Sequence, residues 1–167
     1  SEEGFEGALG KLEGMFAIGY ADVSRGKLFL ARDFFGQKPL YYWVSFDSKR
    51  LIFSSDIYAV KCALEMCGVG VTINQEAKAK YFNYGYIGDD TSIYNEVQKV
   101  LPGQIVEIDF QEFETKKSNW YLKKRFSRCI SDKISSKGQN FEGIFENVVS
   151  DYLFADVPMG CFLSGGI

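Results

Sequence analysis

Apolar residues along the 167-residue chain change period several times, and those changes mark its elements. Phe5, Ala8, Leu9 and Leu12 fall at i, i+3, i+4 and i+7, the tail of a helix that Gly7 and Gly10 weaken. From residue 15 the rhythm becomes strand-like. Phe16, Ile18 and Tyr20 alternate through 15–23, Ser24-Arg25-Gly26 supplies a turn, and 27–31 returns to complete a hairpin. Residues 40–46 and 51–53 read as two further strands joined by Asp47-Ser48-Lys49, so four consecutive strands predict an antiparallel sheet. The rhythm then becomes helical. Asp56 is placed to cap a helix with Ile57, Val60, Ala63 and Leu64 on one face, ending near 66–68. A second helix follows Asn74, with Ala77, Tyr81 and Phe82 inward, and stops before Tyr84-Gly85-Tyr86. Residues 104–110 alternate as a strand, whereas 122–139 have the Lys, Arg, Ser and Gly content of a linker. Beyond it, Phe141, Ile144, Phe145, Val148, Val149, Tyr152 and Leu153 mark the clearest helix, with Asn140 as its expected N-cap.

One bend is built unlike its surroundings. Arg32-Asp33-Phe34-Phe35-Gly36-Gln37-Lys38-Pro39 sets a charged pair, a glycine and a proline between apolar runs, and the expectation is that one strand turns back on the other there. Arg32 and Asp33 could pair with each other, hold the bend, or, with Lys38, meet a neighbouring domain. Mutual pairing is the simplest of the three.

Composition narrows the function. The chain is 46% hydrophobic and 16% aromatic, ample for a packed core. A net charge of −3 with interspersed signs offers no basic face, so no nucleic-acid partner is expected. Apolar runs fall short of the roughly 18 residues of a membrane span, and Ser1-Glu2-Glu3 lacks a signal-peptide pattern, so the expected location is the cytoplasm, with no membrane partner. The chain has no histidine, which rules out Ser-His-Asp or Cys-His catalysis within it. Cys62, Cys67, Cys129 and Cys161 lack CxxC spacing, so no metal site is expected and they read as buried or idle thiols.

The tail carries the other candidate chemistry. In Asp156-Val157-Pro158-Met159-Gly160-Cys161-Phe162-Leu163-Ser164-Gly165-Gly166-Ile167, an apolar stretch delivers Ser-Gly-Gly into a bend that can present successive backbone N–H groups to a phosphate. Taken alone, two glycines after a strand are more often an ordinary turn.

Several segments together give a resemblance. Leu12-Glu13-Gly14-Met15-Phe16-Ala17-Ile18, the bend running into Pro39-Leu40-Tyr41-Tyr42, and Phe53-Ser54-Ser55-Asp56 resemble, in order, the G-M-F-A, R-D-x-x-G-x-x-P-L-Y-Y and F-A-S-E segments of class II glutamine amidotransferases. Leu101-Pro102-Gly103 is similar to the family's L-P-P-G turn with one proline missing, and Trp120-Tyr121 to an element that closes the glutaminase half. The tail resembles the S-G-G-x-D-S pyrophosphate loop of glutamine-dependent asparagine synthetases.

The resemblance implies an α+β fold. Residues 1–121 would be the later part of an N-terminal nucleophile glutaminase-type antiparallel β-sandwich with flanking helices. Residues 122–139 would be a linker, and 140–167 the first helix and strand of an α/β ATP pyrophosphatase-type synthetase domain. By the same resemblance, Leu163 would contact the nucleotide, and Ser164, Gly165 and Gly166 would hold its phosphates. The implied substrates are glutamine, aspartate and ATP, with Mg²⁺ accompanying ATP, and a homodimer is left open. Glutamine would be hydrolysed, and its ammonia would convert adenylated aspartate to asparagine. The glutaminase nucleophile, a cysteine acting through its own α-amine, is expected upstream of Ser1, so no catalytic residue is assigned here. Both ends are expected to be truncations, which would leave the chain marginally stable and self-associating. The alternatives are an amidotransferase acting on another carboxylate or a sugar, and a non-catalytic β-rich interaction domain.

Overall fold

In a computed structural model of the chain, residues 4–120, 141–153, 155–162 and 165 are described. The first strands form where the sequence alternates. β1 (Ala17–Asp22) and β2 (Lys27–Arg32) make the expected hairpin, with Ala17 opposite Arg32 and Asp22 opposite Lys27. β3 (Tyr41–Ser45) and β4 (Arg50–Ser54) make a second, from Tyr41 opposite Ser54 to Ser45 opposite Arg50. The bend between the hairpins does not fold β2 back onto β3.

Instead it crosses from one sheet to another. β2 is flanked on its free side by β6 (Gln104–Asp109), which in turn pairs with β7 (Glu114–Asn119), giving the antiparallel order β1-β2-β6-β7. β3 lies between β4 and the two-residue β5 (Gln98–Lys99) in a second sheet of order β4-β3-β5. The single four-stranded sheet predicted from consecutive strands is therefore corrected to two sheets. The reason lies in β2, whose Leu28 and Leu30 on one face and Phe29 and Ala31 on the other place it inside a covered sheet with a strand on each side.

Side-chain parity gives the layers. Leu30, Val106 and Ile108 point from the first sheet onto Leu40, Tyr42 and Val100, closing a sandwich core. The opposite face of that sheet, with Ala31 and Ile105, packs against Leu9 of α1 (Gly4–Leu9) and against Trp120. Tyr41, Trp43 and Ile52, on the outer face of the second sheet, meet Val60 and Leu64 of α2 (Ile57–Met66). Helix, sheet, sheet and helix are stacked in that order, a mixed α+β architecture with antiparallel sheets.

The caps follow the sequence closely. The carboxylate of Asp56 accepts from the Tyr58 amide, and the side-chain oxygen of Asn74 accepts from the Ala77 amide to start α3 (Gln75–Tyr84). α3 ends at Gly85, whose φ of 78° is the left-handed cap. Its inward face is narrower than expected. Ala77 is buried, but Tyr81 and Phe82 are exposed, at 54% and 75%.

β7 has no apolar alternation, and periodicity missed it. Its Glu-Thr-Lys-Lys-Ser-Asn run is an edge strand held by the β6 ladder, with Lys116 opposite Glu107, after a turn in which Asp109 accepts the amides of Gln111 and Glu112. The thiols are also corrected. Cys67 and Cys161 are exposed and Cys62 is partly so, while Cys129 lies outside the described residues. Among the described residues, no helix is long and apolar enough to cross a membrane, and no group of His, Cys, Asp or Glu could hold a metal ion.

The chain divides into two units, Ser1–Phe126 and Ser127–Ile167. In the second, α4 (Phe141–Tyr152) carries its apolar stripe as expected, with Phe141 and Phe145 stacked at 6.0 Å. Ser1, Tyr121, the 122–139 linker and the Asn140 cap lie outside the described residues.

Candidate functional site

Arg32 and Asp33 end β2 as buried residues, at 9% and 1% exposure, and each works on the bend rather than on the other. The Arg32 guanidinium donates to three carbonyls: Nε to Lys38 O at 2.6 Å, Nη1 to Val100 O at 2.9 Å and Nη2 to Gly36 O at 2.5 Å. Asp33 closes the turn from the acceptor side. Its Oδ1 takes the Gln37 amide at 2.9 Å, its Oδ2 takes the Lys38 amide at 3.0 Å, and its carbonyl takes the Gly36 and Gly103 amides. Mutual pairing is thereby replaced by bend-holding. The guess that both residues face another domain is corrected too, since their charged ends are committed inside their own unit. Lys38 alone keeps an exposed side chain there.

The bend sets the protonation of both groups. Burial pushes the Asp33 carboxyl up, but the Lys38, Gln37 and Phe16 amides, helped by the Arg32 charge, outweigh it and hold the group below its ordinary value. Burial lowers the Arg32 guanidinium somewhat, which leaves a group of its basicity charged at neutral pH. Gly36 has a φ of 65°, and a Cβ there would lie 2.7 Å from Pro102 Cγ and 3.0 Å from Arg32 Cζ. Only glycine fits the turn.

Beside the bend lies a cleft of about 720 Å³. Its walls are Tyr41 from β3, Tyr81 from α3, Tyr86 and Ile87 from the loop after α3, and Leu101 and Pro102. Two cations, Arg32 and Lys99, face it, and among the described residues no Asp or Glu lines it. The Lys99 ammonium donates to the Ile87 carbonyl. Burial lowers its pKa, the charge of Arg32 lowers it further, and Asp89 and Asp90 act in the opposite direction.

Those two carboxylates pin the loop from outside the cleft. Asp89 holds Lys80 at 2.5 Å and the Thr91 hydroxyl, and Asp90 holds Lys117 at 2.8 Å. Lys99 carried no signal in the sequence, because it sits in a two-residue strand preceded by irregular chain.

The tail is the second candidate. Of the four residues expected to bind nucleotide, Leu163, Ser164 and Gly166 lie outside the described residues. Gly165 is described: it is exposed, its φ is 65°, and nothing lies within 4 Å of where a Cβ would stand. That backbone suits an amide-presenting bend.

Comparison with known proteins agrees with the two-sheet unit. The family model of the glutamine amidotransferase domain matches residues 1–121. The chain is 30% identical over 158 residues to a putative glutamine-hydrolysing asparagine synthetase 2 of Methanocaldococcus jannaschii, covering 94% of this chain and 30% of that protein. It is 31% identical over 162 residues to glutamine-hydrolysing asparagine synthetase 1 of Bacillus subtilis, covering 97% of this chain and 24% of that protein. An amidase, chry2, of Gibberella zeae is 29% identical over 165 residues, covering 95% of this chain and 22% of that protein. The chain thus spans less than a third of the length of these relatives. Because the family match covers the whole unit that the bend, the two sheets and α1 to α3 build, this chain belongs to the glutamine amidotransferase domain family.

Proposed function

We propose that the chain is part of a glutamine-hydrolysing asparagine synthetase, an ATP-dependent carbon–nitrogen ligase that moves the amide nitrogen of glutamine to aspartate. The observation that carries this reading is the extent of the similarity. A match over 94% of the chain runs past residue 121, so the relatives named asparagine synthetase share the segment after the glutaminase-type unit as well as the unit itself. In this reading 1–121 is the end of the amidotransferase domain with an N-terminal nucleophile type of fold, 122–139 a linker and 140–167 the start of the synthetase domain.

Within this chain the work is positional. The Arg32–Asp33 bend fixes the crossing between the sheets, and no residue here is assigned as the glutaminase nucleophile. Gly165, with its positive φ, suits a phosphate-binding bend, and by extension Ser164 and Gly166 would offer donors to the same phosphates while Leu163 lies against the nucleotide. ATP would supply activation of the aspartate carboxylate, with Mg²⁺ offsetting phosphate charge. The products would be asparagine, glutamate, AMP and pyrophosphate. Such an enzyme works in the cytoplasm, and a homodimer is compatible with it.

The test is an assay of the full-length protein that contains this chain, with glutamine, aspartate, ATP and Mg²⁺, following all four products together. Stoichiometric formation supports the reading. Glutamate and AMP without asparagine would favour a second reading, an amidotransferase with another acceptor. Absence of both activities would overturn the two readings together.

A further inference from the structure

The cleft beside the bend is not used by the reading above, and its lining is chemically one-sided. Two cations face about 720 Å³ of space, and among the described residues no carboxylate lines it. Among those residues no ion pair reaches the Lys99 ammonium, which donates to the Ile87 carbonyl. Arg32 has given three of its five N–H groups to carbonyls, which leaves two N–H groups and a charge that Asp33 offsets in part. The nearby acids are engaged elsewhere, Asp89 by Lys80 and Thr91, and Asp90 by Lys117.

The rest of the lining is mostly apolar, with four aromatic rings and the hydroxyl residues Thr91 and Ser92. Tyr41, Tyr81, Tyr86 and Phe35 surround the cations, together with Ile57, Leu101 and Pro102. Tyr81, Tyr86 and Phe35 are 54%, 66% and 76% exposed. Large aromatic surface held open beside two cations with no carboxylate in the described lining is the composition of a small-molecule site, and the volume lies in the range of such sites. The backbone there is held in place. Gly85 fixes the end of α3, the Lys80–Asp89 pair anchors the following loop, and the Asp90 carbonyl accepts the Lys99 amide at 2.9 Å.

We propose that this cleft binds a small organic anion with a flat apolar body, a carboxylate or a phosphate ester, seated with its charge on Lys99 and Arg32 and its body between Tyr41, Tyr81 and Tyr86. Free amino acids suit it less well: glutamine and aspartate carry an ammonium, and among the described residues the lining has no acid to pair with one.

The proposal is tested by titrating the full chain with phenyl phosphate and benzoate, with benzylamine and phenylalanine as the cationic and zwitterionic controls, followed by amide chemical shifts in NMR. The two anions are expected to move the signals of Gly36, Gly88 and Lys99 and to bind at least tenfold tighter than either control. Their relative affinity distinguishes a phosphate ligand from a carboxylate. Lys99→Met should weaken both anions at least tenfold. Tyr81→Ala, at an exposed position with little effect on folding, should weaken them severalfold and keeps the test valid if the lysine variant is unstable. Equal binding of anions and controls, or anion binding unchanged in Tyr81→Ala and in folded Lys99→Met, would overturn the proposal.

Discussion

The indole Nε1 of Trp120 donates a 3.0 Å hydrogen bond to the carbonyl of Arg32, a residue 88 positions earlier in the chain. The ring itself is buried against Leu9, Ala31 and Ile105, with Phe16 at 5.9 Å. One side chain therefore ties the end of the two-sheet unit to the bend that connects the sheets. Trp120→Phe keeps the ring contact and loses the bond, and is expected to cost about 1 kcal/mol. Trp120→Ala should cost about 3–5 kcal/mol. Urea denaturation measures both, and equal costs would show that the hydrogen bond carries the whole effect and the ring nothing.

Gly36 and Gly68 make a controlled pair. Both have positive φ, 65° and 77°, but a Cβ at Gly36 would strike Pro102 and Arg32, whereas at Gly68 nothing lies within 4 Å. Alanine at either position meets the left-handed penalty of about 1 kcal/mol. Only Gly36→Ala adds a clash, so it should destabilise by clearly more than Gly68→Ala. Comparable denaturation midpoints for the two variants would count against the packing of the bend on Pro102.

The acid limb of stability should depend on Asp33. Its folded pKa is depressed, the outcome of backbone amides and Arg32 outweighing burial. The unfolded state therefore binds the proton more readily, and the carboxylate's contribution is present above the unfolded value of about 3.9 and lost as pH falls through the folded one. In Asp33→Asn that part of the pH dependence should disappear, with lower stability at neutral pH. The measurement is denaturant midpoint against pH, from neutral to about 2, and parallel curves for the two proteins would contradict this role.

The α2 cap is separable from the site. Asp56 accepts the Tyr58 amide at 2.8 Å, so Asp56→Ala should cost about 1 kcal/mol, and Asp56→Ser should recover most of it. Thermal melts of the three proteins decide the point.

Local chemistry was legible in the sequence where it is local in space. The Asp56 cap, the start of α3 after Asn74, the first hairpin and the stripe of α4 follow from residues within a few positions of one another. The partner of β2 was not legible, because β6 arrives more than seventy residues later and an apolar strand does not name its neighbour. β7 was hidden by its polarity, as an edge strand needs only one backbone partner. Sequence alternation placed Arg32 and Asp33 side by side, but it could not show that carbonyls and amides from the surrounding turns would take up both charges. Lys99 gained its setting only when Arg32, Tyr41 and the loop after α3 closed around it.

The central claim concerns the fate of one nitrogen atom. Glutamine labelled with ¹⁵N in its side-chain amide would be supplied, with aspartate, ATP and Mg²⁺, to the full-length protein that contains this chain, and the products followed by nitrogen-edited NMR. The expected result is ¹⁵N in the carboxamide of newly formed asparagine, dependent on ATP. Label that appears only as ammonium, or remains in glutamine, with no asparagine formed, would contradict the assignment.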